Sequence, residues 1–507
     1  MTFRFGSKRA REAAARREQA RDAYARKERE RVTRDILTDI DRHFPFLRAP
    51  FCAGIAAGKL PEDAFVEAFA EVPAIRLGTT FYHFPALLPL AERRKHLYVV
   101  GKTGSGKTSL LLHLIQEDLQ AGRGIGVIAP EAELFRDWLL PLVPAERAEE
   151  VIYFAPGHPK NPVTFNPLAV ENGDDRGRAG EDLFAIFKRA VGEDEFGARM
   201  SPILANAFAC LTGRPEATLW DVKRLLEDAA YRQEIAQSLP DAYLRDFWLT
   251  TYPSYPKGAH LPLVNRLDQF LRPLPVRHAL CAPASSFSLR EALAQGKILF
   301  FDLSGLAPDS MLLLGQMLLA KFQLELMRRE TLPQEARTPF YLYADEFQTF
   351  AGVAEGTWRE LLSRGRRYGL ALTLAHQYPS QLPPGLQDEI FGNVASLVAF
   401  TLSAKDATAV RREFLEAPLP EEAAGPVSLE ALIALQPGQA LARLGGGAFA
   451  IPLQTPEPLE EPPGWKGEKI REVSWKIYGA PPAGKSSPGP LGSGPTRAPA
   501  GRDDFLE

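Results

Sequence analysis

The sequence is poor in everything that staples a small secreted fold. Its three cysteines, Cys52, Cys210 and Cys281, are odd in number and far apart, so neither a disulfide framework nor a zinc spacing fits them and a reducing cytosol is the expectation. It has no run of 18 apolar residues. The longest uncharged stretch near the N-terminus, 77–91, is interrupted by His83 and two prolines, which argues against a transmembrane span. The N-terminus is charged and lacks the apolar segment of a secretory signal. No global basic field exists either: the formal net charge is −3, so total charge announces no nucleic-acid partner.

What is present is length and unevenness. With 507 residues, the chain is long enough for roughly two to four domains around a large core. Residues 1–48 carry 14 Lys and Arg against 8 Asp and Glu, a net of +6, which leaves −9 for the remainder. The stretch 8–43, rich in Ala, Arg and Glu and free of Gly and Pro, reads as one helix with a thin apolar stripe. Two readings stay open for it: a solvated helix or short coiled coil, or a basic arm for DNA, anionic lipid or a protein partner.

Patterning divides the rest. A lead-in (49–95) precedes apolar strands at 96–100, 124–130 and from 151, alternating with helical periodicity, which indicates a parallel sheet buried on both faces. From 176 to 290 the periodicity is helical, without a convincing strand, as in an inserted all-α domain. Strand signals return at 297–305, 340–346, 370–377 and 396–403, with a long helix over about 309–330. A late pair over 439–455 reads as an edge hairpin. The expected class is therefore α/β, with sheet-domain parts at 96–175 and 291–455. The Pro/Gly-rich tail, 456–507, is expected to be disordered.

The string GKTGSGKT matches the P-loop pattern over Gly101, Lys102, Thr103, Gly104, Ser105, Gly106, Lys107 and Thr108. Glycines let backbone N–H groups turn inward around phosphates, the following helix points its positive end at them, Lys107 reaches the β/γ-phosphates and the Thr108 hydroxyl ligates Mg²⁺. An apolar strand before the loop and an amphipathic helix after it are the context the motif demands. Such a site needs a second acid at the end of a neighbouring strand. FYLYADEF supplies it, with Asp345 placed to hold the Mg²⁺ shell through water and Glu346 to polarise the attacking water. The next strand ends in Gln377, a candidate γ-phosphate sensor. Before that strand lie Arg364, Arg366 and Arg367, any of which could act in trans on a neighbouring subunit's ATP or simply form a solvated basic turn.

Taken in order, RRKHLYVVGKTGSGKTSLL, VIYFAPGHPKNPVTFNPL, GKILFFDLSG, FYLYADEFQTFA, SRGRRYGLALTLAHQYPSQL and IFGNVASLVAFTLSAKDA resemble the HerA/FtsK-type ATPases, over about 90–455. Within these they are most similar to soluble relatives of TraD-like conjugative coupling proteins of type IV secretion. The resemblance implies a RecA-like motor domain carrying an all-α domain, assembled as a homohexameric ring that threads DNA using ATP and Mg²⁺. It implies that Asp345 and Glu346 are the Walker B pair, Gln377 the sensor and Arg366 the arginine finger, with Arg364 in reserve. It also implies a nuclease or secretion-channel partner and a cytoplasmic location, at the inner face of the membrane through that partner. Two departures stand out. Coupling proteins usually carry N-terminal membrane helices, and the acidic turn usual after the second strand is here Ala129, Pro130 and Glu131.

A secretion ATPase working on protein substrates or on envelope assembly would use the same active site. A nucleotide switch is disfavoured by the intact Glu346, and an ABC-type ATPase by the lack of an LSGGQ-like signature. The segment 255–266 is the candidate pore loop. The DNA strand form is left open.

Overall fold

The structure, a computed structural model, describes residues 24–480 apart from 25, 39, 42–46, 62, 66, 67, 69–71, 81–84, 172–175, 192–199, 352–354, 415–426 and 446–449. Of the helix expected over 8–43, residues 26–38 are helical, and 1–23 lie outside the described residues.

One mixed sheet organises the chain. Its strands are β1 (Ala74–Thr80), β2 (Pro85–Pro89), β3 (Leu97–Val100), β4 (Gly124–Ala129), β5 (Val151–Phe154) and β6 (Ile298–Asp302). They continue with β7 (Phe340–Ala344), β8 (Leu370–His376), β9 (Ser396–Ala399), β10 (Gln439–Arg443) and β11 (Ile451–Gln454). The order is β2-β1-β11-β10-β9-β3-β8-β7-β4-β6-β5. From β9 to β5 every pairing is parallel, and these strands, such as FYLYA in β7, are buried throughout because helices cover both faces.

The helices that matter below are α1 (Lys107–Gln120), α2 (Arg176–Val191), α3 (Met200–Leu211), α4 (Leu219–Glu227), α5 (Leu261–Leu271), α6 (Leu274–Leu280), α7 (Pro308–Met327), α8 (Glu355–Arg364) and α9 (Gly464–Tyr478). One face of the sheet packs on α1 and α9. The other packs on α2 to α8 in a second, larger core. No strand lies between β5 and β6 among the described residues.

Four features differ from the sequence expectations. The lead-in contributes β1 and β2 to the sheet, and its earlier part forms a small separate cluster around Phe51. The β10–β11 hairpin is internal, because β1 pairs antiparallel with β11 and so covers its outer side. The acid-bearing strand β7 is not the neighbour of β3, since β8 lies between them. The tail expected to be disordered contains α9, whose Ile470, Ser474 and Tyr478 share one buried face at helical spacing. Residues 481–507 lie outside the described residues.

The helix after β3 is fixed to the acid-bearing strand by a buried charge network. The Arg93 guanidinium, fully buried, donates to both oxygens of Asp118 on α1, at 2.7 Å each. The Tyr343 hydroxyl on β7 donates to Asp118 Oδ2 at 2.6 Å and accepts from Arg93. Arg123 adds a further bond to Asp118 at 2.8 Å, and Arg93 lies 4.3 Å from the centre of the Tyr341 ring. Removing one partner strands the others in a dry interior. We therefore expect Asp118→Ala to lower unfolding free energy by about 3–5 kcal/mol, read by urea denaturation followed by circular dichroism.

His96 performs a similar task at the start of β3. Its Nε2 lies 3.1 Å from the Leu362 carbonyl and its Nδ1 accepts from Leu372 N–H at 3.1 Å, a pattern that needs the neutral ring. Burial pushes its pKa down to about 4. Above about pH 6.5 the ring is neutral in folded and unfolded chain alike. Below it the unfolded chain takes up a proton that the folded chain refuses until about pH 4, so stability falls as pH falls through this window. His96→Gln keeps a donor and an acceptor without the titration. Its loss of stability between pH 7 and pH 5 should be smaller than that of the wild type by about 2 kcal/mol, measured by denaturation at both pH values.

Candidate nucleotide site

The loop between β3 and α1 wraps inward because its glycines permit it. Gly106 sits at φ +115, a conformation that L side chains resist, and its Cα faces the Phe400 ring and the Gly438 backbone. At Gly101 the constraint is space, since a Cβ would lie 2.5 Å from Phe400 Cβ. The loop is braced by Lys102 N–H bonding to Thr401 O at 2.9 Å and by Gly438 N–H bonding to Ser105 O at 2.9 Å. Gly106 also provides no capping oxygen, so the first-turn N–H groups of α1 point outward without a side-chain acceptor. Thr108 is exposed on that turn, and Lys107 is buried with Nζ bonded to the Lys102 carbonyl at 3.1 Å.

The acids come from the far side of β8. Asp345 is 4% exposed, directly after β7, and its N–H bonds to Ile128 O of β4 at 3.2 Å. Burial raises its pKa to about 6. The N–H of Glu346 opposes this, the charges of Glu346 and Glu131 add to it, and Lys107 counteracts it. Glu346 adopts φ +46, in the left-handed region, which costs about 1–2 kcal/mol for a residue with a side chain. The conformation is fixed from both sides. Glu346 N–H bonds to Asp345 Oδ1 at 2.9 Å, and the next residue, Phe347, donates its N–H to Ala375 O of β8 at 3.1 Å.

The intervening strand joins the two halves. Gln377, immediately after β8, donates from Nε2 to Glu346 Oε1 at 2.8 Å and accepts at Oε1 from the Thr103 hydroxyl at 2.8 Å. Loop, sensor candidate and acid thus form one hydrogen-bonded chain, Thr103–Gln377–Glu346. Glu346 Oε2 accepts from Gln348, a residue that the sequence reading did not single out. Its signal was slight: a polar side chain beside Thr349 in the short, mostly apolar FQTFA.

Glu131, left open by the sequence, belongs to the same electrostatic cluster. It follows β4, which is in register with β7 through Ile128 and Ala344. Its charge is felt by Lys107 and Asp345, and its own pKa is raised by burial and by Glu346. The arginines are elsewhere. Arg364 and Arg366 are exposed and precede β8, so they lie at the opposite end of a seven-residue strand, about 20 Å from the loop. Arg364 pairs with Glu360 at 3.2 Å, and Arg366 acts electrostatically on His96. Neither reaches the nucleotide site of its own chain.

No protein-family model and no curated protein matches the chain in sequence. Solved structures do match in shape. The unbound bacterial conjugative coupling protein TrwBdeltaN70 is 16% identical at a TM-score of 0.52, covering 76% of this chain and 90% of that one. TrwB in complex with the non-hydrolysable ATP analogue ADPNP is 16% identical at 0.53, covering 76% and 92%. VirB4 of Thermoanaerobacter pseudethanolicus is 14% identical at 0.51, covering 76% and 96%.

The fold is that of a RecA-like P-loop NTPase. In this RecA-like core the P-loop strand and the acid strand are separated by one strand, and the end of that strand is where Gln377 stands. Among the described residues no group of three or more His, Cys, Asp or Glu could hold a metal unaided, and none is long and apolar enough as a helix to cross a membrane.

Proposed function

We propose that the chain is an ATP-hydrolysing motor that moves DNA, working as a homohexameric ring. The observation that carries the reading is Glu346, held in a strained backbone beside buried Asp345 and wired through Gln377 to the P-loop. A fold maintained for packing alone has no reason to keep that arrangement.

The residues fit Mg-ATP. The charges of Glu131, Asp345 and Glu346 all act on Lys107, and the Asp345 pKa is raised chiefly by burial and further by the neighbouring carboxylates. An all-oxygen set of the Thr108 hydroxyl and Asp345, the latter through water, suits Mg²⁺, which completes its shell with water and phosphate oxygens. Such an ion supplies neutralisation of the phosphate oxygens. The protein's own residues do the rest. The N–H groups from Gly101 to Thr108 cradle the phosphates, Lys107 contacts them, Glu346 orients water as general base, and Gln377 reports occupancy of the loop. TrwB has been solved with ADPNP and with ADP and Mg²⁺, which supports this assignment. Arg366, or Arg364 in its place, would complete the site of a neighbouring subunit, consistent with its distance from its own.

ATP turnover by the purified chain, measured alone, with double-stranded and with single-stranded DNA, tests the motor. The expected result is several-fold stimulation by one DNA form. Glu346→Gln should lower turnover by about 100- to 10,000-fold while nucleotide binding persists. Lys107→Ala should weaken binding of a fluorescent nucleotide by at least about 10-fold.

A second reading, an ATPase acting on protein substrates, is favoured by the helical insertion. It exposes Trp220, Tyr243, Leu261 and Leu274, each at least 40% accessible, on a chain with no net positive charge. Turnover that is sensitive to Glu346→Gln yet indifferent to DNA would select it. Under either reading a channel or nuclease partner and a place at the inner membrane face through that partner remain part of the proposal.

A further inference from the structure

Gln348 opens a four-residue helical turn, Gln348–Ala351, two residues beyond the acid. Its backbone is held between two fully buried phenylalanines. Phe347 meets Trp358 edge-on with ring centres 4.8 Å apart, and Phe350 packs on Gly315 of α7. A side chain mounted on such anchors is a fixed donor rather than a loose surface amide. Its Nε2 donates to Glu346 Oε2, while Gln377 donates to Oε1 at 2.8 Å, so both carboxylate oxygens are held by glutamine amides. Gln348 Oε1 is buried and has no hydrogen-bond partner, a cost that a residue present only to fill space would avoid by being apolar.

We propose that Gln348 is a positioning residue, whose amide holds the Glu346 carboxylate in the orientation from which it polarises the attacking water. The proposal rests on the ATPase reading above. Gln377 shares its amide with the P-loop, since its own carbonyl is engaged by Thr103, whereas Gln348 is mounted on the core between Phe347 and Phe350. The two amides therefore divide the work: one couples Glu346 to the nucleotide, and the other keeps it aimed.

Gln348→Met preserves size and removes the donor, and Gln348→Ala removes both. Each is compared with wild type and Glu346→Gln in the full-length chain, by single-turnover hydrolysis and by the Kd of a fluorescent ATP analogue. The expected result is a rate about 10- to 100-fold lower in Gln348→Met, with Kd changed by less than about 2-fold. A wild-type rate in Gln348→Met would reduce the residue to packing and overturn the proposal. Parallel losses of rate and affinity would do the same, since they signal a collapsed site. Wild-type turnover that Glu346→Gln leaves intact would instead overturn the ATPase reading itself.

Discussion

The bond between Arg93 and Asp118 is the constraint on which the rest of the site depends. A guanidinium and a carboxylate, neither with any exposure, meet in bidentate geometry between the segment entering β3, the helix leaving the P-loop and the strand that carries the acids. Burying such a pair gains little net stability over an apolar replacement of the same volume. What it supplies is direction. Apolar packing tolerates small slides of a helix over a sheet, whereas a bidentate ion pair with a tyrosine hydroxyl bonded to both partners has one good geometry. The N-terminal end of α1 borders the P-loop and its last turn carries Asp118, so fixing Asp118 on Tyr343 sets where Lys107 and Thr108 stand relative to Asp345.

That frame gives meaning to the connection that runs across β8. With β8 between β3 and β7, the hydrogen-bonded route from loop to acid runs through the residue at the end of β8. Gln377 has a donor and an acceptor on one planar group, so it can hold Thr103 with one and Glu346 with the other. A carboxylate in its place could not donate to Glu346, and a lysine could not accept from Thr103. The left-handed backbone at Glu346 belongs to the same logic: Asp345 is tied to β4 and Phe347 to β8, and the residue between them takes the strain.

The candidate site was easier to read in the sequence than the architecture that presents it. The P-loop and the acid pair are contiguous strings whose meaning is local, and β4 and β7 are continuous apolar runs. Three things were not legible because their cause is distant in sequence. β1 is broken by a register shift at Gly78, and its partner on one side, Gln454, lies far along the chain. The order β3-β8-β7 is a matter of which strand slides between which, and periodicity carries no information about it. Gln348 gave almost no signal, because the donor direction of an amide depends on the anchoring of Phe347 and Phe350.

The helix α9 shows how a segment of poor local propensity becomes ordered. GWKGEKIREVSWKIY contains two glycines and follows a run of prolines, which is why its composition reads as tail. Its stability comes from what it covers. β5 is the last strand of the sheet, and the outward N–H of Tyr153 bonds to the Ser474 hydroxyl at 2.9 Å, while its carbonyl accepts from the Trp475 indole at 3.2 Å. Trp475 also stacks on the Tyr153 ring, with centres 6.0 Å apart. Side chains thus occupy the positions a twelfth strand would take. At the other end, β2 begins and ends with proline, so Pro85 and Pro89 remove N–H donors that another strand would need. An eleven-stranded sheet with open edges would invite pairing with other copies. With one edge capped by a helix and the other poorer in donors, association between copies through the sheet edges is disfavoured.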